Sequence, residues 1–317
     1  MNISIIVPNY NGENILAKNL PKIFDSVKEY KKGKIEIIIP DDPSTDNSKE
    51  VINNFIANNT EKNIIVKTIE NRNSSLSGFS KNVNRGVGIA TGDILILLNS
   101  DVAPHKDFLE PLLRHFSAPD VFAVGCMDES IENGKTLHRG RGLGRFRRGF
   151  LVHRAGEANK SSTLWVSGGS GAFRRSIWDK LGGLDALYDP FYWEDIDLSY
   201  RALKAGYRIV FEPESVVVHE HEAGVVKKLF SEKHVRKVAY RNQIIFVWKN
   251  ITDSSLLANH LFWLPYHIAK TLFNHDLAFV LGLWMACGKL PAILKNRAKL
   301  RKYSKLKDKD IMKLFIS

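Results

Sequence analysis

Cysteine is nearly absent from this 317-residue chain, which holds only Cys126 and Cys287. So distant a pair fits neither a metal-ligand spacing nor a disulfide framework, and a reducing compartment is expected. A secretory leader is also missing from the pattern, because Met1-Asn2 runs straight into the apolar Ile3–Val7 with no basic stretch before it. Long hydrophobic runs are lacking too: the most extended, Leu277 to Gly288, holds about 12 residues where a membrane span takes roughly 20. Neither an internal repeat nor an RNA- or DNA-binding signature occurs, which argues against nucleic acid as the partner. With 44% apolar and 25% charged residues, the composition is that of a folded globular protein, long enough for one α/β domain and an appendage.

Net charge is missing from most of the chain. Residues 1–221 hold 28 Lys and Arg against 28 Asp and Glu, whereas 222–317 hold 18 against 6, so this tail supplies the whole net charge of +12. A neutral body with a cationic tail points to an anionic partner, whether lipid, nucleic acid or a phosphorylated substrate. A solvated basic face is the plain alternative.

What is present in the first 125 residues is an alternation of two periods. Ile3–Val7, Ile35–Ile39, Ile64–Ile69, Ile94–Leu98 and Val121–Gly125 are short β-branched runs that read as buried strands. Between them, Glu13–Tyr30, Thr45–Asn58, Ser77–Ala90 and Lys106–Phe116 have helical length, with Ser44 or Asp46 and then Ser77 as caps of the second and third. This order predicts a parallel, doubly wound α/β sheet whose ligand lies at the strands' carboxyl ends. The interval 130–161 carries Arg139, Arg141, Arg145, Arg147 and Arg148 among glycines and reads as a mobile basic loop or hairpin. A strand at Leu164–Ser167, helices near Arg175–Leu181 and Glu194–Ala205, and strands at Arg208–Phe211 and Val216–Val218 complete the body.

Four strand ends or turns carry polar residues suited to one site: Pro8-Asn9-Tyr10-Asn11-Gly12, Asp41-Asp42-Pro43-Ser44-Thr45-Asp46, Asn99-Ser100-Asp101, and Trp193-Glu194-Asp195-Ile196-Asp197. Each alone is as readily a helix cap or a turn. Together, in the segments "IIVPNYNG", "DDPSTDNS", "GFSKNVNRGVGIATGDILILLNSD" and "VSGGSGAFRRSIWDKLGGLDALYDPFYWEDIDLSYRALKAGYRIVFEPESVVVH", they resemble the inverting glycosyltransferase family numbered 2, with its Rossmann-like GT-A fold. The resemblance covers most of residues 3–219 and is to the bacterial and archaeal glycan-assembly type, such as rhamnosyl- and galactosyltransferases.

The resemblance implies a role for each cluster. The donor, a nucleoside diphosphate sugar, would meet Pro8, Tyr10, Asn11, Asp41, Lys81, Asn82, Asn99, Ser100, Gly168 and Gly169, with Asp41 on the nucleobase edge. Helix capping is the competing role for Asp41 and Asp42, and a tight turn for the glycines. Asp101 would bind a divalent cation, Mn²⁺ or Mg²⁺, which suits oxygen ligands and neutralises the departing diphosphate. Asn99 stands where a strict DxD element has its first carboxylate. His219, or His221 in its place, would add a metal ligand. Asp195 matches the catalytic base that takes the acceptor hydroxyl's proton. Glu194 would orient the acceptor or tune that charge, while Asp197 would meet the helix N-terminus. Apart from the resemblance, the five arginines should repel one another unless an anion is present, so their loop would order over the donor diphosphate or an acceptor pyrophosphate, with Trp193 on the acceptor side.

Within residues 222–317, Phe262, Trp263, Tyr266, Phe273 and Trp284 stand among lysines and arginines and short apolar runs. This pattern predicts amphipathic helices lying on an anionic membrane surface without spanning it. A helical cap packed on the body, or on a second copy in a homodimer, is the alternative. The expectation is thus a GT-A body (1–221) with a basic helical C-terminal region (222–317). It would act at the cytoplasmic face of the membrane on a lipid-linked or growing surface glycan, in polysaccharide or cell-wall synthesis. A catalytically silent scaffold of the same fold is the opposing possibility, against which Asp41, Asp101 and Asp195 argue.

Overall fold

The computed structural model describes residues 1–315 except 60, 74, 133 and 220–228. Strands β1 (Ile3–Ile6), β2 (Ile35–Asp41), β3 (Ile64–Glu70) and β4 (Ile94–Leu98) pair in parallel in the order β3-β2-β1-β4, with Ile3 opposite both Ile35 and Ile94. Their apolar runs are continuous because both sheet faces are covered. Ile94, Ile96 and Leu98 join one core with α1 (Glu13–Val27) and α2 (Ser48–Asn58), while Leu95 and Leu97 join the other beside α3 (Phe79–Gly88).

Beyond β4 the sheet becomes mixed. The short β5 (Val102–Pro104) leads through α4 (Leu109–Arg114) to the long β6 (Val121–Glu132), against which β7 (Lys135–Arg139) folds back. Strands β8 (Gly142–Arg147) and β9 (Phe150–Ala155) form a separate hairpin. Strand β10 (Ser170–Arg174) runs antiparallel between β4 and β6. After α5 (Arg175–Leu181) and α6 (Glu194–Lys204), β11 (Arg208–His219) runs parallel to β6 and antiparallel to β5. Gly206, at φ +84°, stops α6.

Several expectations need correction. The sheet is not wholly parallel. Leu164–Ser167 forms no strand: Leu164 and Val166 are buried, but their N–H groups go to the Gly142 carbonyl (2.8 Å) and Ser199 Oγ (3.1 Å). Burial without a ladder produced the same apolar signature. The two expected final strands are one, bulged between Glu212 and Val216. Of the two readings of 130–161, the hairpin is the one found: β7 pairs with β6, and β8 with β9. The third helix is capped across the chain, by Asp189 accepting from Ser80 N (2.9 Å), and not by Ser77. Ser44 turns to Asp41 instead of capping, whereas Asp46 does accept from Ser48 N at 3.0 Å.

The C-terminal region forms helices α7 (Glu232–Asn250), α8 (Ser254–Phe273), α9 (Ala278–Cys287), α10 (Leu290–Arg301) and α11 (Asp308–Lys313). Their inner faces share the body's core: Ile244, Phe246, Ile293 and Met312 belong to one cluster with Trp178, Trp193 and Leu198. Polar ties are buried as well. Lys204 on α6 pairs with Asp308 at 2.8 Å, both fully buried, and Tyr200 donates to the same carboxylate at 2.6 Å. The expected boundary at 221/222 lies outside the described residues.

Candidate active site

A cavity of ≈ 380 Å³ opens where the carboxyl ends of β1 and β4 meet the turn before β10 and the start of α6. Pro8, Tyr10, Asn82, Asn99, Ser100, Asp101, Gly168, Gly169, Glu194, Asp195 and His219 all line it, so most of the sequence-predicted site converges on one space. Asn9 and Asp42, named in the polar clusters but given no donor contact, line it too, as do Phe79, Tyr192 and Phe230, which the sequence did not single out.

Asp41 sits behind the wall. It accepts from Asn9 Nδ2 and from Ser44 Oγ, both at 2.8 Å, and burial raises its pKa against these bonds. The next residue, Asp42, faces the cavity and accepts from Ser77 Oγ (2.5 Å) and Arg85 (3.2 Å). Neither carboxylate caps a helix. Asn82 ties two walls together by donating to the carbonyls of Asn9 and Pro40, each at 3.1 Å. Lys81, one residue earlier, is exposed and off the wall. Asn11 is also off the wall: at φ +48° it accepts from Thr45 N (2.7 Å) and so joins the first loop to the second.

The glycine turn is needed by the protein itself. A Cβ on Gly169 would come within 2.6 Å of the Asn99 amide, and Asn99 N donates to the Gly169 carbonyl at 2.9 Å. Gly168 N donates to Asp195 Oδ2 at 3.3 Å, so the same turn steadies the carboxylate.

Glu194 and Asp195 reach the cavity through backbone strain. Tyr192 (φ +69°) and Trp193 (φ +78°) are both left-handed, which no side chain but glycine adopts easily, and they swing the chain into α6. Trp193 is held by burial against Phe246 and His153, at centroid distances of 5.3 and 5.5 Å, so it is core and not an acceptor contact. Burial is the main cause that raises the pKa of both acids. Glu194 is pushed well above the usual range, with the Asp195 charge adding to the effect, and its Oε2 has no hydrogen-bond partner. Asp197 does not serve the helix N-terminus. It accepts from Tyr188 (2.8 Å), Arg201 (2.7 Å), Lys249 (2.9 Å) and Asn250 (2.7 Å); burial opposes its ionisation, but Lys249 and Arg201 outweigh it and hold the pKa far down.

His219, also part of the lining, lies between two carboxylates. Its Nε2 is 3.3 Å from Asp101 and its Nδ1 is 2.8 Å from Asp128. Burial pushes its pKa down, but the two carboxylates outweigh burial and raise it to about 9. Among the described residues no cluster of three ligating side chains occurs. Two protein ligands suit a hard cation whose remaining positions are filled by phosphate oxygens and water. The Asn99 Oδ1 nearby is buried without a partner, which fits the same reading. His221 lies outside the described residues.

The five arginines do not line the cavity. Arg141 is buried and spends its guanidinium on the protein, donating from Nε to the Ser162 carbonyl at 2.8 Å. Arg139 ends β7, Arg145 and Arg147 are exposed on β8, and Arg148 sits at the hairpin turn against α8. A single repelling cluster poised over a diphosphate is therefore not what these residues form.

Residues 4–182 match Glycosyl transferase family 2, and residues 94–292 match Glycosyl transferase family group 2. The chain is 32% identical over 145 residues to the pre-mycofactocin glycosyltransferase of Mycobacterium tuberculosis, covering 44% of this chain and 29% of that protein. It is 24% identical over 229 residues to the O-antigen chain rhamnosyltransferase RfbN of Salmonella typhimurium, covering 70% of this chain and 67% of that protein. It thus spans between 29% and 67% of the length of these two relatives. The mannosyltransferase PcManGT from Pyrobaculum calidifontis, solved in complex with GDP-Man and Mn²⁺, shares the fold with a TM-score of 0.57 at 20% identity, over 95% of this chain and 80% of that one.

Proposed function

We propose, from the premise that this chain belongs to glycosyl transferase family 2, that it transfers a hexose-type sugar with inversion from a nucleoside diphosphate donor to a hydroxyl of a lipid-linked or growing surface glycan. The observation that carries this reading is that the Glu194–Asp195 pair and the Asp101–His219 pair line one and the same cavity. The two pairs supply the two ends of a displacement. The acceptor oxygen attacks the anomeric carbon, its proton passes to Asp195, and the bond from that carbon to the diphosphate oxygen breaks on the opposite side. A bound Mn²⁺ or Mg²⁺, held by Asp101 and His219, would neutralise charge gathering on the departing diphosphate. Burial raises the Asp195 pKa, which makes the carboxylate a better proton acceptor near neutral pH.

The basic tail supports peripheral attachment to the inner, anionic face of a membrane, where a lipid-linked acceptor is presented. Among the described residues no single helix is long and apolar enough to cross one. The test is the anomeric configuration of the product formed from UDP- or GDP-sugars with Mn²⁺, read by proton NMR. Inversion is expected; a retained configuration, or no donor turnover across the panel, overturns the reading.

A further inference from the structure

The arginines that the cavity leaves aside stand next to the most exposed aromatic surface of the molecule. On α8, Phe262 is 76% exposed and Phe273 86%; on α9, Trp284 is 74% exposed. Their spacing is helical: Phe262, Tyr266 and Phe273 share one side of α8, while Leu277, Leu281 and Trp284 share one side of α9 and its approach. The opposite side of α9, with Ala278, Phe279, Gly282 and Ala286, is buried. On α8 the partly buried Leu257, Leu264 and Ile268 pack against the core, so each helix has an inward apolar side and a second one facing out, which folding alone does not require.

The β8–β9 turn is built onto this surface. The Arg148 guanidinium lies 5.5 Å from the Trp263 ring and 5.3 Å from the Tyr266 ring, and Arg148 NH1 is 3.3 Å from the Tyr266 hydroxyl. Gly149 at φ +82° lets the turn approach, since a Cβ there would meet His260 Cα at 2.9 Å. Arg145 and Arg147 are exposed on the same hairpin. From 254 to 301 the sequence has six Lys and Arg and one acid, Asp276, which is itself paired with Arg236 at 2.9 Å.

The geometry points to a monotopic anionic-lipid face, in which Phe262, Phe273 and Trp284 enter the acyl region while Arg145, Arg147 and Arg148 of the β8–β9 hairpin bind lipid phosphates. This deepens the peripheral attachment proposed above and rests on it. Inserted rings favour the interface, and guanidinium groups bind phosphate bidentately. Helices α9 and α10 meet at a 70° bend, so together they lie in the surface more naturally than they cross it. A second copy is a poorer occupant. Two-fold pairing would set the same basic stretch against itself with only Asp276 to offset it, and lysine is depleted from interface cores.

The experiment uses the full chain, sedimented with vesicles of phosphatidylcholine alone or with phosphatidylglycerol, beside UDP- and GDP-sugar hydrolysis in solution. The wild type is expected to pellet with the anionic vesicles. The variant Phe262→Ser/Phe273→Ser/Trp284→Ser should lose roughly 100-fold in partitioning, and Arg145→Ala/Arg147→Ala roughly tenfold, with melting temperature and donor hydrolysis unchanged. A wild type that stays in the supernatant overturns the lipid face. So does a serine variant that still pellets, or one whose only change is from dimer to monomer in light scattering. Arginine variants that lose donor hydrolysis instead of vesicle binding would return the hairpin to the diphosphate. Loss of hydrolysis by the wild type would count against the transferase reading alone, since the vesicle arm stands apart from it.

Discussion

Asp128 Oδ2 lies 2.8 Å from Nδ1 of His219, whose other ring nitrogen faces Asp101 at 3.3 Å. A histidine oriented by a carboxylate on one side presents a fixed nitrogen on the other, the arrangement that holds ligating imidazoles in metal sites. Asp128→Asn is therefore expected to raise the Mn²⁺ concentration for half-maximal activity by roughly 10- to 100-fold. Nucleotide affinity in EDTA should stay as it is. Asp101→Ala should abolish the metal response, and EDTA should silence the wild type until Mn²⁺ or Mg²⁺ is restored. Full turnover in chelator would remove the cation from the mechanism.

Asp195→Asn should cut kcat by roughly 10²- to 10⁴-fold with donor affinity preserved, the scale of a lost proton acceptor. Calorimetric titration of donor against turnover separates the two quantities. A variant with wild-type kcat would disqualify Asp195 as the base.

Glu194 is buried, its pKa is raised well above the usual carboxylate range, and Oε2 has no partner. Burial thus favours the neutral acid of this group over its carboxylate. Glu194→Gln copies that state and should keep turnover within roughly threefold, whereas Glu194→Ala leaves a void in the cavity wall and should lose about tenfold or more. A glutamine variant as inactive as Asp195→Asn would mean that Glu194 works ionised.

Lys204 and Asp308 are a fully buried pair, so removing one partner strands the other charge. Asp308→Ala should cost about 3–5 kcal/mol, while Lys204→Met/Asp308→Leu should recover most of it. Burial opposes ionisation of Asp308, but Lys204 and the hydrogen bonds outweigh it, and its pKa lies below the ordinary 3.8. The stabilisation is therefore complete above that value and disappears as pH falls through the lowered one. Urea melts at pH 7 and pH 3 check both size and sign. Equal stability of wild type and Asp308→Ala at pH 7 would contradict the pairing.

Asn242 Nδ2 donates to the carbonyls of Tyr188 (2.8 Å), Phe191 (2.9 Å) and Tyr192 (2.9 Å), so α7 braces the segment that forms the cavity's aromatic wall. Asn242→Leu should leave these carbonyls unpaired, at about 1–3 kcal/mol of stability. It should also speed hydrogen exchange across 188–193 and raise KM for acceptor more than for donor. Unchanged exchange there would show that the brace is dispensable.

Much of this was legible beforehand, for identifiable reasons. Strands such as Ile94–Leu98 are apolar on both faces because both faces are covered, and polar residues at their ends, such as Asp101, mark the mouth of the sheet. Asp128 was invisible because its partner His219 lies 91 positions away and nothing local distinguishes it within β6. Asp41 and Asp42 adjoin in sequence, yet only the second lines the cavity, a one-residue distinction that strand register decides. The five arginines looked like one cluster because charge counts along a chain ignore that Arg139 ends β7, Arg141 is buried before β8, and Arg145, Arg147 and Arg148 lie on the separate β8–β9 hairpin. Asp197 looked like a helix-end carboxylate because two of its four partners, Lys249 and Asn250, stand on the distant α7, while Tyr188 precedes the helix and Arg201 lies one turn along it.

The brace from α7 and the clasp on Lys204 also impose an order on synthesis. During translation, α6 with Glu194 and Asp195 leaves the ribosome long before Asp308, which follows Lys204 by 104 positions. Until that partner arrives, the Lys204 ammonium has no buried counter-charge and the 188–192 segment cannot settle against a finished α7. A nascent chain that could already bind a sugar nucleotide would lack the braced aromatic wall of the cavity. Turnover should then begin only after the C-terminal helices have closed over the body, which keeps half-made enzyme from wasting donor. Proteolytic clipping within those helices should silence a mature molecule in the same way.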